Sequence, residues 1–271
     1  MLSAAAAALL TAALAVASAR ADTNITTATS TPLVTATAGN IVIDASGAVN
    51  ITQSNTPAIT LNSASSVANN GGISNTNTDG AIGVSIDTKL GNILSNGFAS
   101  TGTIDVGGNG TGKRGIVIQG GNTFYGPVTL TTLVGTTLTG QAVAASSSAM
   151  IVQGDNSAAF LLAQGTRVTS NILLGGGGIV QNASPNSTQS NSIMVDLDGT
   201  LNGNLILQGG LSGVGPGLIG VQTLGGIHSC ASDTSAPSGF TCPTSSGGTL
   251  INASAISLIG TRFFNTRGGN P

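Results

Sequence analysis

Aliphatic residues recur at every second position in short stretches: Ile41 and Ile43, Val49 and Ile51, Ile59 and Leu61, Ile82, Val84 and Ile86, and Ile193, Val195 and Leu197. A strand turns one face inward at alternate residues, so these stretches predict short strands. Gly, Asn, Ser and Asp separate them and supply the turns. A turn-plus-strand phrase also repeats, as Gly39-Asn40-Ile41-Val42, Gly91-Asn92-Ile93-Leu94, Ser170-Asn171-Ile172-Leu173 and Gly203-Asn204-Leu205-Ile206, with Gly126-Pro127-Val128-Thr129-Leu130 as a looser relative. A second apolar strand lies upstream at nearly constant offset in the last four instances, from Ile82 to Ile93, Ile116 to Val128, Phe160 to Ile172 and Ile193 to Leu205. Strand, polar turn, strand is therefore the repeated unit, and segments without the alternation, such as Ser63 to Asn77 and Ser146 to Ser148, read as protruding loops.

Repetition of this kind predicts a solenoid in which each coil buries its aliphatic face against the next. The Asn phrases fall at positions 40, 92, 171 and 204, and these intervals suit two, three and one coils if a coil takes roughly 20–35 residues. Like side chains then stack along the axis, and Asn amides at the turns can hydrogen-bond in ladders. About ten coils would span roughly 45–50 Å at the strand spacing. The expected fold class is all-β, a right-handed parallel β-helix following an N-terminal signal peptide, with an antiparallel β-sandwich as the alternative.

Composition sharpens this picture. The chain has 41 Gly, no Trp, a single His, nine Asp and no Glu among 271 residues, whereas long helices draw on Glu, Lys, Arg, Leu and Ala. Neutral Asn and Thr stack without repulsion where aligned Glu or Lys would repel at each ~4.8 Å step. Disorder is not implied, since 40% of the residues are hydrophobic and the formal net charge is only -2. The same near-neutrality leaves no field to attract phosphate backbones, and the aromatics are not interleaved with basic residues, so nucleic acid is not an expected partner.

Residues Leu2 to Val16 form an Ala/Leu-rich run followed by Ala19-Arg20-Ala21, a small-x-small site suited to cleavage between Ala21 and Asp22. The run is shorter than the ~20 residues of a membrane span, and the expected mature chain has no span. The organisation read from the sequence is a signal peptide over 1–21, a Thr-rich entry segment over 22–40, a β-helix over 41–226, a stapled loop over 227–248, and last strands with a flexible end over 249–271. Cys230 and Cys242 enclose only the short segment from Ala231 to Thr241, and in an oxidising compartment they can close a local disulfide. They make a poor zinc site, because four ligands are needed and His228 is the only His.

Other chemical motifs mostly fail. Gly107-x4-Gly112-Lys113 imitates a phosphate-binding loop, but Arg114 stands where Ser or Thr belongs and a strand follows instead of a helix. Asp196 and Asp198 share one outward strand face and could act as an acid pair, but with no third carboxylate nearby in sequence a solvated strand edge is the preferred reading. His228 reads as a surface residue beside the stapled loop. No catalytic, cofactor or metal site is expected.

The chain resembles the passenger region of a bacterial autotransporter, the exported right-handed β-helix of type V secretion. The resemblance is carried by Ala81-Ile82-Gly83-Val84-Ser85-Ile86, Gly115-Ile116-Val117-Ile118, Ala159-Phe160-Leu161-Leu162 and the Asn phrases, over about 41–226. It implies export, a place at the cell surface, in the outer membrane or in the medium, and often adhesion. The family's C-terminal membrane barrel of ~10-residue alternating strands has no counterpart in the sequence, so a separate or missing outer-membrane barrel is expected, with a periplasmic product if it is absent. The leading functional expectation is a non-enzymatic adhesive or scaffold protein with a carbohydrate or protein ligand. The alternatives are a carbohydrate-active β-helix enzyme using Asp196, Asp198 and Arg167, and a truncated fragment without retained function.

Overall fold

The computed structural model describes residues 21–131, 150–176, 178–184, 186–243, 247–259 and 262–266. The signal peptide expected over 1–21, apart from Ala21, the loop expected at Ser146 to Ser148, and the chain end from 267 lie outside them. Within them the short strands pair only with strands one coil away, always in parallel, and build four sheets. One coil illustrates the path: Phe98–Ser100 in the first sheet, Thr103–Val106 in the second, Arg114–Gln119 in the third and Thr123–Tyr125 in the fourth. The first three sheets each contain eight strands, so the described residues make eight coils of a right-handed parallel β-helix. Seven steps of about 4.8 Å give a stack of about 34 Å, shorter than ten coils would be.

The inward rows are in strict register. Ile41, Val67, Phe98, Val128, Ile172 and Leu205 stack along the first sheet, and Val84, Ile116, Phe160, Val195 and Val221 along the third. All are at most 1% exposed and belong to one continuous core. Each such side chain contributes about 1.5–3 kcal/mol by leaving water, and parallel strands can realise this only when neighbouring coils are both present. No helix among the described residues is long and apolar enough to cross a membrane.

Several details differ from the sequence reading. The first coil forms within the Thr-rich segment, because Thr23–Ile25 pairs with Ile41–Ile43. Ser63 to Asn77 is not a loop: it supplies Val67–Asn69 and Gly72–Asn75 to the first and second sheets. Its strands escaped notice because Asn69 and Asn75 occupy inward positions, where their side chains are satisfied internally. Asn69 Nδ2 donates to Ser100 Oγ and Thr103 O, and Asn75 Nδ2 to Gln53 O and Thr56 O. The Asn phrases are also of two kinds. Asn40, Asn171 and Asn204 precede first-sheet strands, whereas Asn92 precedes Ile93–Leu94 of the fourth sheet.

The ladders at these turns join side chain to backbone. Asn171 Oδ1 accepts from Asn204 N at 2.9 Å, and Asn204 Oδ1 from Thr249 N at 3.0 Å; Asn40 Oδ1 accepts from Ser66 N at 2.8 Å. Each turn amide thus satisfies a backbone donor one coil up. Glycine supports another corner, where an added Cβ on Gly71 would lie 2.1 Å from Gly47 O and one on Gly102 would lie 2.0 Å from Gly71 O. Successive coils meet there backbone to backbone.

Candidate functional site

The fourth sheet is the shortest, with strands Ile93–Leu94, Thr123–Tyr125, Arg167–Thr169, Thr200–Asn202 and Ile227–His228. Its three-residue strands send one side chain inward, Phe124, Val168 and Leu201 joining the core, and two outward. Thr123, Arg167 and Thr200 form one outward row, and Thr169, Asn202 and His228 the other. The sequence carries this signal as polar-apolar-polar triplets, Arg167-Val168-Thr169 and Thr200-Leu201-Asn202, which follow Thr123-Phe124-Tyr125. The steps from Thr123 to Arg167 to Thr200 equal those from Val128 to Ile172 to Leu205, which are partners in the first sheet. Three of the four offsets read from the sequence therefore span this intervening strand, and the first, from Ile82 to Ile93, ends in it.

The segment after His228 folds back over these rows. Cys230 and Cys242 are joined by a disulfide with a Cα separation of 5.8 Å, and Cys230 is fully buried. Three residues of the fourth sheet dock the closed loop. Tyr125, itself fully buried, packs its ring 5.1 Å from that of Phe240 and donates its hydroxyl to Ser235 O at 3.1 Å. Thr169 Oγ1 donates to Asp233 Oδ2 at 2.6 Å. Arg167 Nη1 stands 3.9 Å from Asp233 Oδ1.

Between loop and sheet lies a polar cavity of about 460 Å³ lined by Arg167, Thr200, Asn202, His228, Asp233, Thr234 and Ser235. Every wall residue offers a hydrogen-bonding group. Burial alone would raise the Asp233 carboxyl, but hydrogen bonds from Ser235 and Thr169 and the Arg167 charge outweigh it and hold it below the usual carboxylate range. Asp233 is thus a charged anchor for the loop at neutral pH.

The groove brings together Arg167 and His228, which the sequence reading kept apart, and leaves out Asp196 and Asp198. Asp196 lies in the third-sheet strand Ile193–Leu197 and is only 8% exposed, which departs from a solvated edge. Gln222, its register partner one coil up, donates Nε2 to Asp196 Oδ1 at 3.2 Å. Burial, followed by the negative charge of Asp198, pushes the Asp196 carboxyl up to about 6, against the opposing pull of Gln222 and Arg114. Asp198 Oδ1 is buried without a hydrogen-bond partner among the described residues.

The glycine-rich stretch before Lys113 has a structural use that its letters concealed. Lys113 is fully buried and donates Nζ to Gly107 O at 2.7 Å and to Gly108 O at 2.8 Å, pinning the loop from inside. Desolvation lowers its pKa to about 8, with Asp105 and Asp79 opposing the shift. Arg114 Nη1 likewise turns to backbone, at Lys113 O and Asn156 O. Among the described residues no group of three or more His, Cys, Asp or Glu could hold a metal ion. Comparison of the chain with protein-family models, curated proteins and solved structures found no match.

Proposed function

We propose that this chain is an exported, non-catalytic β-helical protein of the autotransporter-passenger kind, acting in adhesion or as a surface scaffold, with a carbohydrate or protein ligand. The observation that carries this reading is the polar groove beneath the docked loop, a recess lined entirely by polar side chains on a rigid stack of sheets. Rigid scaffolds that present loop-borne polar groups are suited to recognition. The near-absence of charge leaves specificity to hydrogen bonding and to the few ions present. Export rests on the apolar leader and on the Cys pair. Cell fractionation of the expressing bacterium should find the chain outside the cytoplasm, and the purified chain should bind glycan or matrix-protein arrays above a scrambled-sequence control. Cytoplasmic retention, or arrays no brighter than the control, refutes the reading.

A carbohydrate-active enzyme is the second reading, favoured by the raised pKa of Asp196 and the unpartnered Asp198 oxygen. A carboxyl titrating near 6 keeps a protonated fraction close to neutrality, and the protonated form is the one a general acid requires. Polysaccharides incubated with the chain would then gain reducing ends, and Asp196→Asn would abolish their release. An unchanged substrate panel would eliminate it.

A further inference from the structure

We infer that the groove between the fourth sheet and the disulfide-closed loop is selective for an acidic saccharide, with Arg167 taking the carboxylate of a sugar acid and Thr200, Asn202, His228 and Thr234 facing its hydroxyls. The inference deepens the proposed surface-recognition role and rests on it. Its starting point is that the Arg167 donors are unused. The side chain is 44% exposed, the 3.9 Å approach of its guanidinium to Asp233 is too long for a hydrogen bond, and it donates no side-chain hydrogen bond among the described residues. Arg114 and Lys113, by contrast, are turned onto backbone carbonyls.

Asp233 does not need those donors. Its Oδ2 accepts from Thr169, and its Oδ1 accepts from Ser235 through both backbone N–H and hydroxyl. A planar fork of five N–H groups that is half in solvent and close to a self-sufficient carboxylate is placed to take a second carboxylate in bidentate fashion. Asp233 offsets the Arg167 charge, so the site tolerates little added negative charge. A carboxylate that brings one charge to the exposed Arg167 is repelled less by Asp233 than a phosphate monoester with about -1.5 to -2 charges.

The lining argues for a hydroxyl-rich ligand. Thr200, Thr234 and His228 carry donor or acceptor groups without a side-chain hydrogen bond among the described residues, and Asn202 uses only Nδ2, toward Thr169 at 3.4 Å. None of the lining residues is Phe, Tyr or Trp, and Tyr125 is fully buried against Phe240. Neutral sugars thus find no large aromatic ring in the lining to stack on, and the acid group must supply most of the discrimination. The cavity of about 460 Å³ falls within the about 300–1,000 Å³ typical of small-molecule sites.

The test titrates the chain from Asp22 to Pro271, disulfide intact, with glucuronate- and galacturonate-containing oligosaccharides, their neutral glucose and galactose counterparts, and a sulfated oligosaccharide, by calorimetry. Acidic sugars should bind at least about tenfold more tightly than neutral ones, the ratio for one well-made charged contact. Arg167→Gln should erase that ratio, Arg167→Lys should retain part of it, and Thr234→Val should weaken all sugars alike. Lys89→Gln, which removes an exposed charge outside the groove, should change nothing, and circular dichroism verifies that each variant is folded. Equal affinity for acidic and neutral sugars, or an Arg167→Gln chain that keeps the preference, overturns the inference while leaving surface recognition standing. Binding of the sulfated sugar alone overturns the carboxylate assignment, and failure of every saccharide alongside binding to a matrix protein overturns it too. Failure of every ligand removes both readings.

Discussion

Gly71 and Gly72 are neighbours in sequence with opposite surroundings, and substituting each by alanine tests whether coil spacing is set by backbone contact at the glycine corner. On Gly71 the new methyl would lie 2.1 Å from Gly47 O and 2.3 Å from Asp44 O, both backbone atoms of the preceding coil. Non-bonded carbon contacts settle near about 3.5–4.0 Å, so the two coils must part by roughly 1 Å. The nearby ladder bond from Gly72 N to Gly47 O is already 3.1 Å long and would break. Overpacking at about 1–3 kcal/mol plus about 1 kcal/mol for the hydrogen bond gives a loss of about 2–4 kcal/mol. On Gly72 the methyl would meet only Ala48 Cβ at 3.6 Å and Thr103 Oγ1 at 3.8 Å, ordinary contacts. Alanine there should stabilise slightly, by about 0.4–1 kcal/mol, through the lower entropy of the unfolded chain. Urea unfolding followed by circular dichroism at the β-sheet minimum measures both. Midpoints that coincide, or a Gly71→Ala midpoint at the parental value, refute backbone-limited packing.

Three other residues give measurable outcomes. Asp196 has a folded-state pKa of about 6, raised above the ordinary 3.8, so the folded chain holds a proton between these values that the unfolded chain releases. Its contribution is complete below about pH 4 and lost as pH rises through 6, and stability should increase from pH 7 to pH 5 by about 1 kcal/mol or slightly less after allowance for solvent screening; Asp196→Asn should flatten the profile, and a parental profile already flat contradicts the assignment. Asp233 acts in the opposite sense, since its lowered pKa means that its support is present above the unfolded value and lost as pH falls through the folded one. Acid below about pH 4 should therefore free the loop, seen as increased Tyr125 solvent exposure, and Asp233→Asn should remove that acid step. Lys113→Met should cost about 1–3 kcal/mol by stranding the Gly107 and Gly108 carbonyls and should admit protease between 107 and 112; an uncleaved, equally stable variant argues against the internal pin.

The sequence disclosed the architecture wherever a strand carries two or more aliphatics on one face, as in Ile82-Gly83-Val84-Ser85-Ile86 and Ile193 to Leu197. It concealed strands such as Val67–Asn69, whose second inward position is a hydrogen-bonded Asn, because periodicity registers apolarity and not satisfaction. The fourth sheet was hidden for another reason. One core residue per strand gives no period, and only the matched spacing of whole triplets betrays it. The groove was less legible still. Arg167 was singled out, but beside Asp196 and Asp198, since proximity along a solenoid depends on coil register and on which sheet a residue occupies. The docking of Ser235 on Tyr125 joins positions far apart in the chain and follows from the return path of a loop whose direction its composition does not specify.

That long-range contact also bears on how the molecule comes apart. A solenoid held only by nearest-neighbour interactions can peel from either end, each layer leaving with little effect on those behind it. Here the loop that follows the seventh coil is fastened to Tyr125 of the fourth and to Arg167 and Thr169 of the fifth. Tension applied at the carboxyl end would therefore meet a clasp, and the upper half of the stack should yield as a block instead of unravelling layer by layer.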